Sequence, residues 1–185
     1  MLNMKIFKIV KDNKKSLREP SVPVELPLSN EDRQTLLDML EYLKISNDPE
    51  LSEKYHIQSG VGLAAPQIGL NKQMIAIYVI DSEGKEHSYC LVNPKIISES
   101  ARLTYLESGE GCLSVDKPHK GYVYRHQKIT VRAYNLLKDK EEDIVLTNFL
   151  AIVAQHEIDH LKGILYYDRI NKFNPFEERI DALKI

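Results

Sequence analysis

Charge of one sign is what this sequence has least of. Its 185 residues carry 25 Lys and Arg against 27 Asp and Glu, a net charge of -2. The basic residues are scattered. Holding a phosphate backbone takes a concentrated positive field, so no direct nucleic-acid binding is expected. Cysteine is scarce: Cys90 and Cys112 allow one disulfide at most, and a chain of this length builds a core without one. Long apolar runs are missing, and none reaches the length that spans a bilayer. Residues 1–10, with Lys5 and Lys8, read as neither signal peptide nor membrane anchor. Repeats and low-complexity tracts are also lacking. These absences point to a cytoplasmic protein with reduced thiols and one domain over residues 1–185. What is present is an ordinary globular composition, 43% hydrophobic and 28% charged.

Residues up to Leu28 hold Pro20, Pro23 and Pro27 and are expected to wrap the surface in extended form. Ser29 with Asp32 three residues on reads as a capping box. Leu36, Leu37, Leu40 and Leu43 follow at helical spacing, until Asn47, Asp48 and Pro49 break the pattern. Residues 50–59 are mostly polar and read as an insertion. Residues 73–80, rich in β-branched side chains, predict a strand. The turn signal Asp81-Ser82-Glu83-Gly84 predicts that residues 87–92 pair back as a hairpin. Residues 128–134 alternate as a half-buried strand, with Ile129, Val131 and Ala133 inward, and residues 138–143 read as a charged turn. Asn148 is expected to cap a second helix that Gly163 ends. Strands outnumber helices without repeated strand–helix–strand units. The fold class is therefore α+β, mostly antiparallel sheets packed around a central helix.

That second helix carries Gln155-His156-Glu157-Ile158-Asp159-His160. Histidines four apart lie one turn apart on one face, so both imidazoles reach one metal ion. Glu157 sits beside them, placed as a general base. A chance pair of histidines on a surface helix is the plain alternative. The apolar run before His156 argues against it, because charged groups emerging from a buried stripe need partners. Asp159 reads either as a carboxylate orienting a ligand imidazole or as a solvated helix charge. Two histidines leave a site incomplete. Three sources of a third ligand compete. Tyr166 stands where one protease pattern has its third histidine. Glu177 with Asp181 could imitate a later glutamate ligand, although Pro175 intervenes. Cys112, in Glu110-Gly111-Cys112-Leu113-Ser114, completes a thiolate–imidazole set. Cys90, in an alternating strand, reads as an inert core thiol.

Taken in order, the segments Gly-Val-Gly-Leu-Ala-Ala-Pro-Gln (residues 60–67), Glu-Gly-Cys-Leu-Ser (residues 110–114) and Gln-His-Glu-Ile-Asp-His-Leu-Lys-Gly (residues 155–163) resemble the peptide deformylase family. The resemblance implies that Cys112, His156 and His160 bind a metal and that Glu157 moves protons. It implies that Gln67 and the backbone N–H of Leu113 donate to an oxyanion. Val61 and Gly111 would pair with an extended substrate, and Arg125 would brace the site. It further implies ferrous iron in the cell, with zinc, nickel or cobalt tolerated, and formyl-methionyl nascent peptides as substrates, with a transient ribosome contact plausible from that substrate. The residues agree: glycines at 60 and 62 allow close backbone approach, and Phe149, Ile152 and Val153 share the His156 face and read as pocket wall or as core. The polar insertion and short tail resemble Gram-positive forms, which end in a strand. A metalloendopeptidase and a non-catalytic metal-binding protein are the rival readings.

Overall fold

The computed structural model describes residues 5–185, so the reading of residues 1–10 falls partly outside the described residues. The first helix, α1 (Asn30–Asn47), has the predicted cap, Ser29 Oγ accepting from the Asp32 N–H at 3.1 Å, but not the full capping box, because the Asp32 carboxylate accepts from the Ser29 hydroxyl and Lys72 instead of the Ser29 N–H. Leu36, Leu40 and Leu43 are buried, whereas Leu37 is exposed and lies off the stripe. A short helix, α2 (Pro49–Tyr55), occupies part of the polar insertion. Asp48 caps it by accepting from the Leu51 N–H, and none of its residues is buried. Without an apolar face it leaves no periodicity to read.

Five strands form an antiparallel sheet in the order β1-β2-β3-β6-β7: β1 (Gly62–Ala64), β2 (Met74–Ile80), β3 (Glu86–Glu99), β6 (Lys128–Asn135) and β7 (Lys140–Thr147). The hairpin β2–β3 turns where expected. Asp81 accepts from the N–H groups of Glu83 and Lys85, and Gly84 takes φ +80°. β3 runs beyond the predicted strand because an irregularity between Val92 and Lys95 absorbs Pro94, which cannot donate to a ladder. The charged stretch at 138–143 is mostly strand rather than turn. The chain reverses at residues 136–139, with Asp139 at φ +52°, and β7 starts at Lys140. Its charges survive in a strand because they line the exposed face and pair across it, Arg132 with Asp143 at 2.7 Å.

β2 is buried on both faces. Met74, Ala76 and Tyr78 pack with α1; Ile75, Ile77 and Val79 pack with the third helix, α3 (Asn148–His160). Two-sided burial explains a nearly continuous apolar run in an antiparallel strand. Asn148 does not cap α3; Thr147 holds that position without a side-chain bond. Asn148 takes φ +52°, and its Oδ1 accepts from Gln127. Gly163 closes the helix end at φ +72°, donating to the His160 carbonyl. A second sheet orders β5-β4-β8, with β4 (Leu103–Tyr105), β5 (Arg125–His126) and β8 (Ala182–Lys184). β8 runs parallel to β4, so the described chain ends on a strand. The architecture is α+β with mostly antiparallel sheets. The segment before α1 is largely extended apart from one turn of 3-10 helix at Lys15–Arg18.

Candidate metal centre and active site

α3 presents His156 and His160 one turn apart, their ring centroids 5.0 Å from each other. Gln155 fastens this helix to β5: its amide accepts from the His126 N–H at 3.0 Å and donates to the His126 carbonyl at 2.9 Å. The loop after β4 carries Cys112 to the same place. Cys112 Sγ lies 3.2 Å from His160 Nε2, and ligand atoms of Cys112, His156 and His160 all fall within 4.8 Å of one another. Tetrahedral zinc bonds of roughly 2.0–2.3 Å separate ligand atoms by about 3.3–3.7 Å, so the set closes on a single cation with little movement. A thiolate with two imidazoles suits zinc and ferrous iron alike. Glu157 Oε2 is buried without a hydrogen-bond partner, a deficit expected where a bound group is missing from the count.

The competing third ligands lie elsewhere. Tyr166 stacks near His156 at 6.2 Å, and its hydroxyl accepts from the His119 N–H. Glu177 and Asp181 are exposed and engaged with Asn171 and Arg179. Cys90 is fully buried, and burial pushes its thiol up to about 12.

Behind this candidate ligand set runs a buried chain of charge. His156 Nδ1 lies 2.8 Å from Glu110 Oε2, and Arg125 holds the same carboxylate with two bonds of 2.8 and 2.9 Å. Arg125, only 2% exposed, also binds Asp159, which Arg169 grips from the other side. The carboxylate against the imidazole is thus Glu110, and Asp159 stands one step further back, neither on a histidine nor in solvent. Arg125 is a buried bridge between two acids rather than a strand-end charge. Glu110 went unnoticed in the sequence because its role depends on which imidazole the fold sets beside it.

Burial alone would raise the Glu110 carboxyl, but hydrogen bonds from His156 and Arg125 hold it down to about 2. Burial would lower His156; bonds to Cys112 and Glu110 outweigh it and raise that imidazole well above its usual range. His160, buried beside His156, is pushed well below and stays neutral, the form that ligates. Burial lifts Glu157 to about 7, where a carboxylate exchanges protons readily near neutral pH. The Gly62 backbone passes so close that a Cβ there would sit 2.2 Å from Glu157 Oε1.

Gln67, 1% exposed, follows β1 on a 3-10 turn. The Ala64 N–H donates to its Oε1 at 2.8 Å, which fixes the amide so that Nε2 faces Ser114 Oγ at 3.2 Å and Cys112 Sγ at 3.6 Å. Leu113 is adjacent, its carbonyl accepting from Lys11 Nζ at 2.9 Å. The Val61 carbonyl accepts from the Tyr78 N–H, so strand alternation turns the Gly62 peptide groups to the open edge of β1. A cavity of about 260 Å³ brings together Val61, Gly62, Gly111, Phe149, Ile152, Val153, Gln67, Cys112, Leu113, His156 and Glu157. Leu106 also lines it, as do Gln58, Ser59, Gly60 and Glu110; the sequence reading gives Leu106 no role.

The chain matches the family described as "Polypeptide deformylase" across residues 6–176. It is 54% identical over 182 residues to a protein named "Peptide deformylase" from Halalkalibacterium halodurans, covering 98% of each chain. It is 52% identical over 177 residues to "Peptide deformylase 2" from Bacillus subtilis, covering 96% of each. The solved peptide deformylase from Ehrlichia chaffeensis superposes with a TM-score of 0.74 at 31% identity, covering 92% of this chain and 91% of that one. A Met-Ala-Ser-bound class I type b peptide deformylase from Acinetobacter baumannii gives 0.71 at 28% identity, covering 90% and 99%. Fold and likeness together define the class: this is a hydrolase, an enzyme. The chain belongs to the polypeptide deformylase family. Neither rival, endopeptidase nor non-catalytic metal protein, finds support among these relatives.

Proposed function

We propose that residues 1–185 form one catalytic domain around α3 as its central metal-binding helix, with Cys112, His156 and His160 holding one divalent cation. The reaction of the family is removal of the N-terminal formyl group from newly made polypeptides, with release of formate, and it is the activity of this chain. The observation that carries the site assignment is the convergence of the Cys112 thiol and two imidazoles beside an unpartnered buried carboxylate, Glu157, in one cavity.

A cation held there supplies Lewis acidity, polarising the formyl carbonyl and making water easier to deprotonate. The remaining steps fall to side chains. Glu157 takes a proton from the attacking water and returns it to the leaving nitrogen. Gln67 Nε2 and the Leu113 N–H donate to the oxygen on which negative charge builds, fixed dipoles that need no reorganisation. Glu110 orients His156 and is itself held by Arg125, with Asp159 behind. The open edge of β1 at Gly62, with Gly111 opposite, receives the extended substrate backbone, while Val61, whose carbonyl is taken by the Tyr78 N–H, borders the cavity without offering that carbonyl to the substrate. Phe149, Ile152 and Val153 give the first side chain, methionine, an apolar wall. The donor set accepts iron, zinc, nickel and cobalt alike, and the family resemblance favours ferrous iron as the cellular ion; elemental analysis of protein made without oxygen tests this. A nascent-chain substrate supports a cytoplasmic location and a transient contact with the ribosome. No helix among the described residues is long and apolar enough to cross a membrane.

Glu157→Gln tests the assignment. The variant is expected to keep one metal ion per chain and lose activity by about 10³-fold or more, within the range for a displaced general base. Full activity with metal retained would remove Glu157 from the mechanism.

A further inference from the structure

Val10, Lys11 and Asp12 lie across both segments that carry the oxyanion donors. The Val10 N–H donates to the Gln67 carbonyl at 2.8 Å, and the Asp12 N–H donates to the Ser114 carbonyl at 2.9 Å. Between them Lys11 Nζ donates to the Leu113 carbonyl at 2.9 Å and pairs with Asp116 Oδ1 at 2.7 Å. The turn that presents the Leu113 N–H is closed from inside by a bond from the Val115 N–H to the Cys112 carbonyl. Lys11 spans the same turn from outside, at Leu113 and at Asp116. Neither the metal ligands nor Glu157 bonds to this strap.

We propose that Lys11 is a positioning residue for deformylation. Its ammonium holds the Leu113 carbonyl, in the peptide that follows the one bearing the Leu113 N–H, and steadies this turn relative to the Gln67 amide, so that both donors meet the same oxygen. The inference rests on the reading of Gln67 and Leu113 as oxyanion donors. Its consequence is kinetic. The oxyanion exists only in the transition state, so a donor out of line lowers kcat and leaves substrate binding alone. A misplacement of about 1 Å can cost up to ~10²-fold. As a plain ion pair, Lys11–Asp116 is too exposed, at 38% and 70%, to matter much for stability.

The test uses the full-length, metal-loaded enzyme and formyl-Met-Ala-Ser. Lys11→Met, Lys11→Arg and Gln67→Ala are compared for kcat, KM, affinity for the product Met-Ala-Ser, melting temperature and bound metal. Lys11→Met is expected to lose about tenfold in kcat, with KM and product affinity within about twofold and metal and melting temperature unchanged. Lys11→Arg, which still donates and pairs, is expected to keep most of kcat. Should Lys11→Met fail to fold, Lys11→Gln makes the same comparison. Wild-type kcat in Lys11→Met overturns the proposal, as does a kcat loss matched by lost product affinity or lost metal. If Gln67→Ala also leaves kcat intact, the oxyanion reading itself fails; if Gln67→Ala alone is slow, only the role of Lys11 does.

Discussion

The two cysteines show how strongly position sets chemistry. Cys90 is sealed in the sheet with its thiol pushed up to about 12, since burial disfavours the thiolate. At pH 8 only ~10⁻⁴ of it is ionised, and the thiolate is the reactive form. A thiol reagent added to metal-stripped native protein is therefore expected to label one site, Cys112, and to reach Cys90 only on unfolding; rapid double labelling would contradict the burial. This contrast was legible in the sequence, because Cys112 has polar glycine-rich flanks and Cys90 alternates with strand residues. The partner of His156 was not legible. Glu110, two residues from Cys112, becomes an imidazole acceptor only through the packing of a loop against α3. Gly62 lies between these cases. Its place in a glycine-rich segment suggested close approach to a ligand, while the structure puts its missing Cβ against Glu157. Gly62→Ala is expected to displace that carboxylate and lower activity by about tenfold or more, with metal content unchanged. Activity equal to wild type would mean that Glu157 has room to move.

At the scale of elements, α1 and β6 announced themselves through apolar period, and α3 through its motif. α2 did not, having no buried face. β7 did not, since its first residues are charged and strand pairing rather than composition decides them. The start of α3 departs from the capping pattern of its sequence because Asn148 adopts a left-handed backbone and bonds Gln127 instead of the helix. What ties α3 to its surroundings is the ionic bridge Glu110–Arg125–Asp159–Arg169. Removing the shared cation leaves buried Glu110 with His156 alone and buried Asp159 with Arg169 alone. Arg125→Met is expected to destabilise the fold by about 3–5 kcal/mol and to weaken metal retention by releasing Glu110 from its orienting place. Denaturant unfolding with parallel metal analysis checks both. A loss under 1 kcal/mol would show that water or neighbouring cations replace the guanidinium.

Over the whole molecule, three segments far apart in sequence reach one cavity because the larger sheet with its packed helix brings two of them together and the loop after the smaller sheet brings the third. β1 is the edge of the five-stranded sheet, Cys112 follows the smaller sheet, and the histidines ride on α3, whose apolar residues pack on the larger one. The motif residues were readable from sequence, and so was the order of the motifs. The tie between them was not. The N-terminal strap contacts Gln67, Leu113 and Ser114 mainly through backbone groups, which leave no residue signature. The central claim is that this assembly hydrolyses a formyl amide with metal assistance. Formate release from formyl-Met-Ala-Ser tests it most directly, with protein purified anaerobically and a chelator as control. The account predicts formate at a rate that the chelator abolishes and a divalent ion restores, with the Ala–Ser bond intact. No formate from protein holding one metal ion per chain, or cleavage inside the peptide, would contradict it.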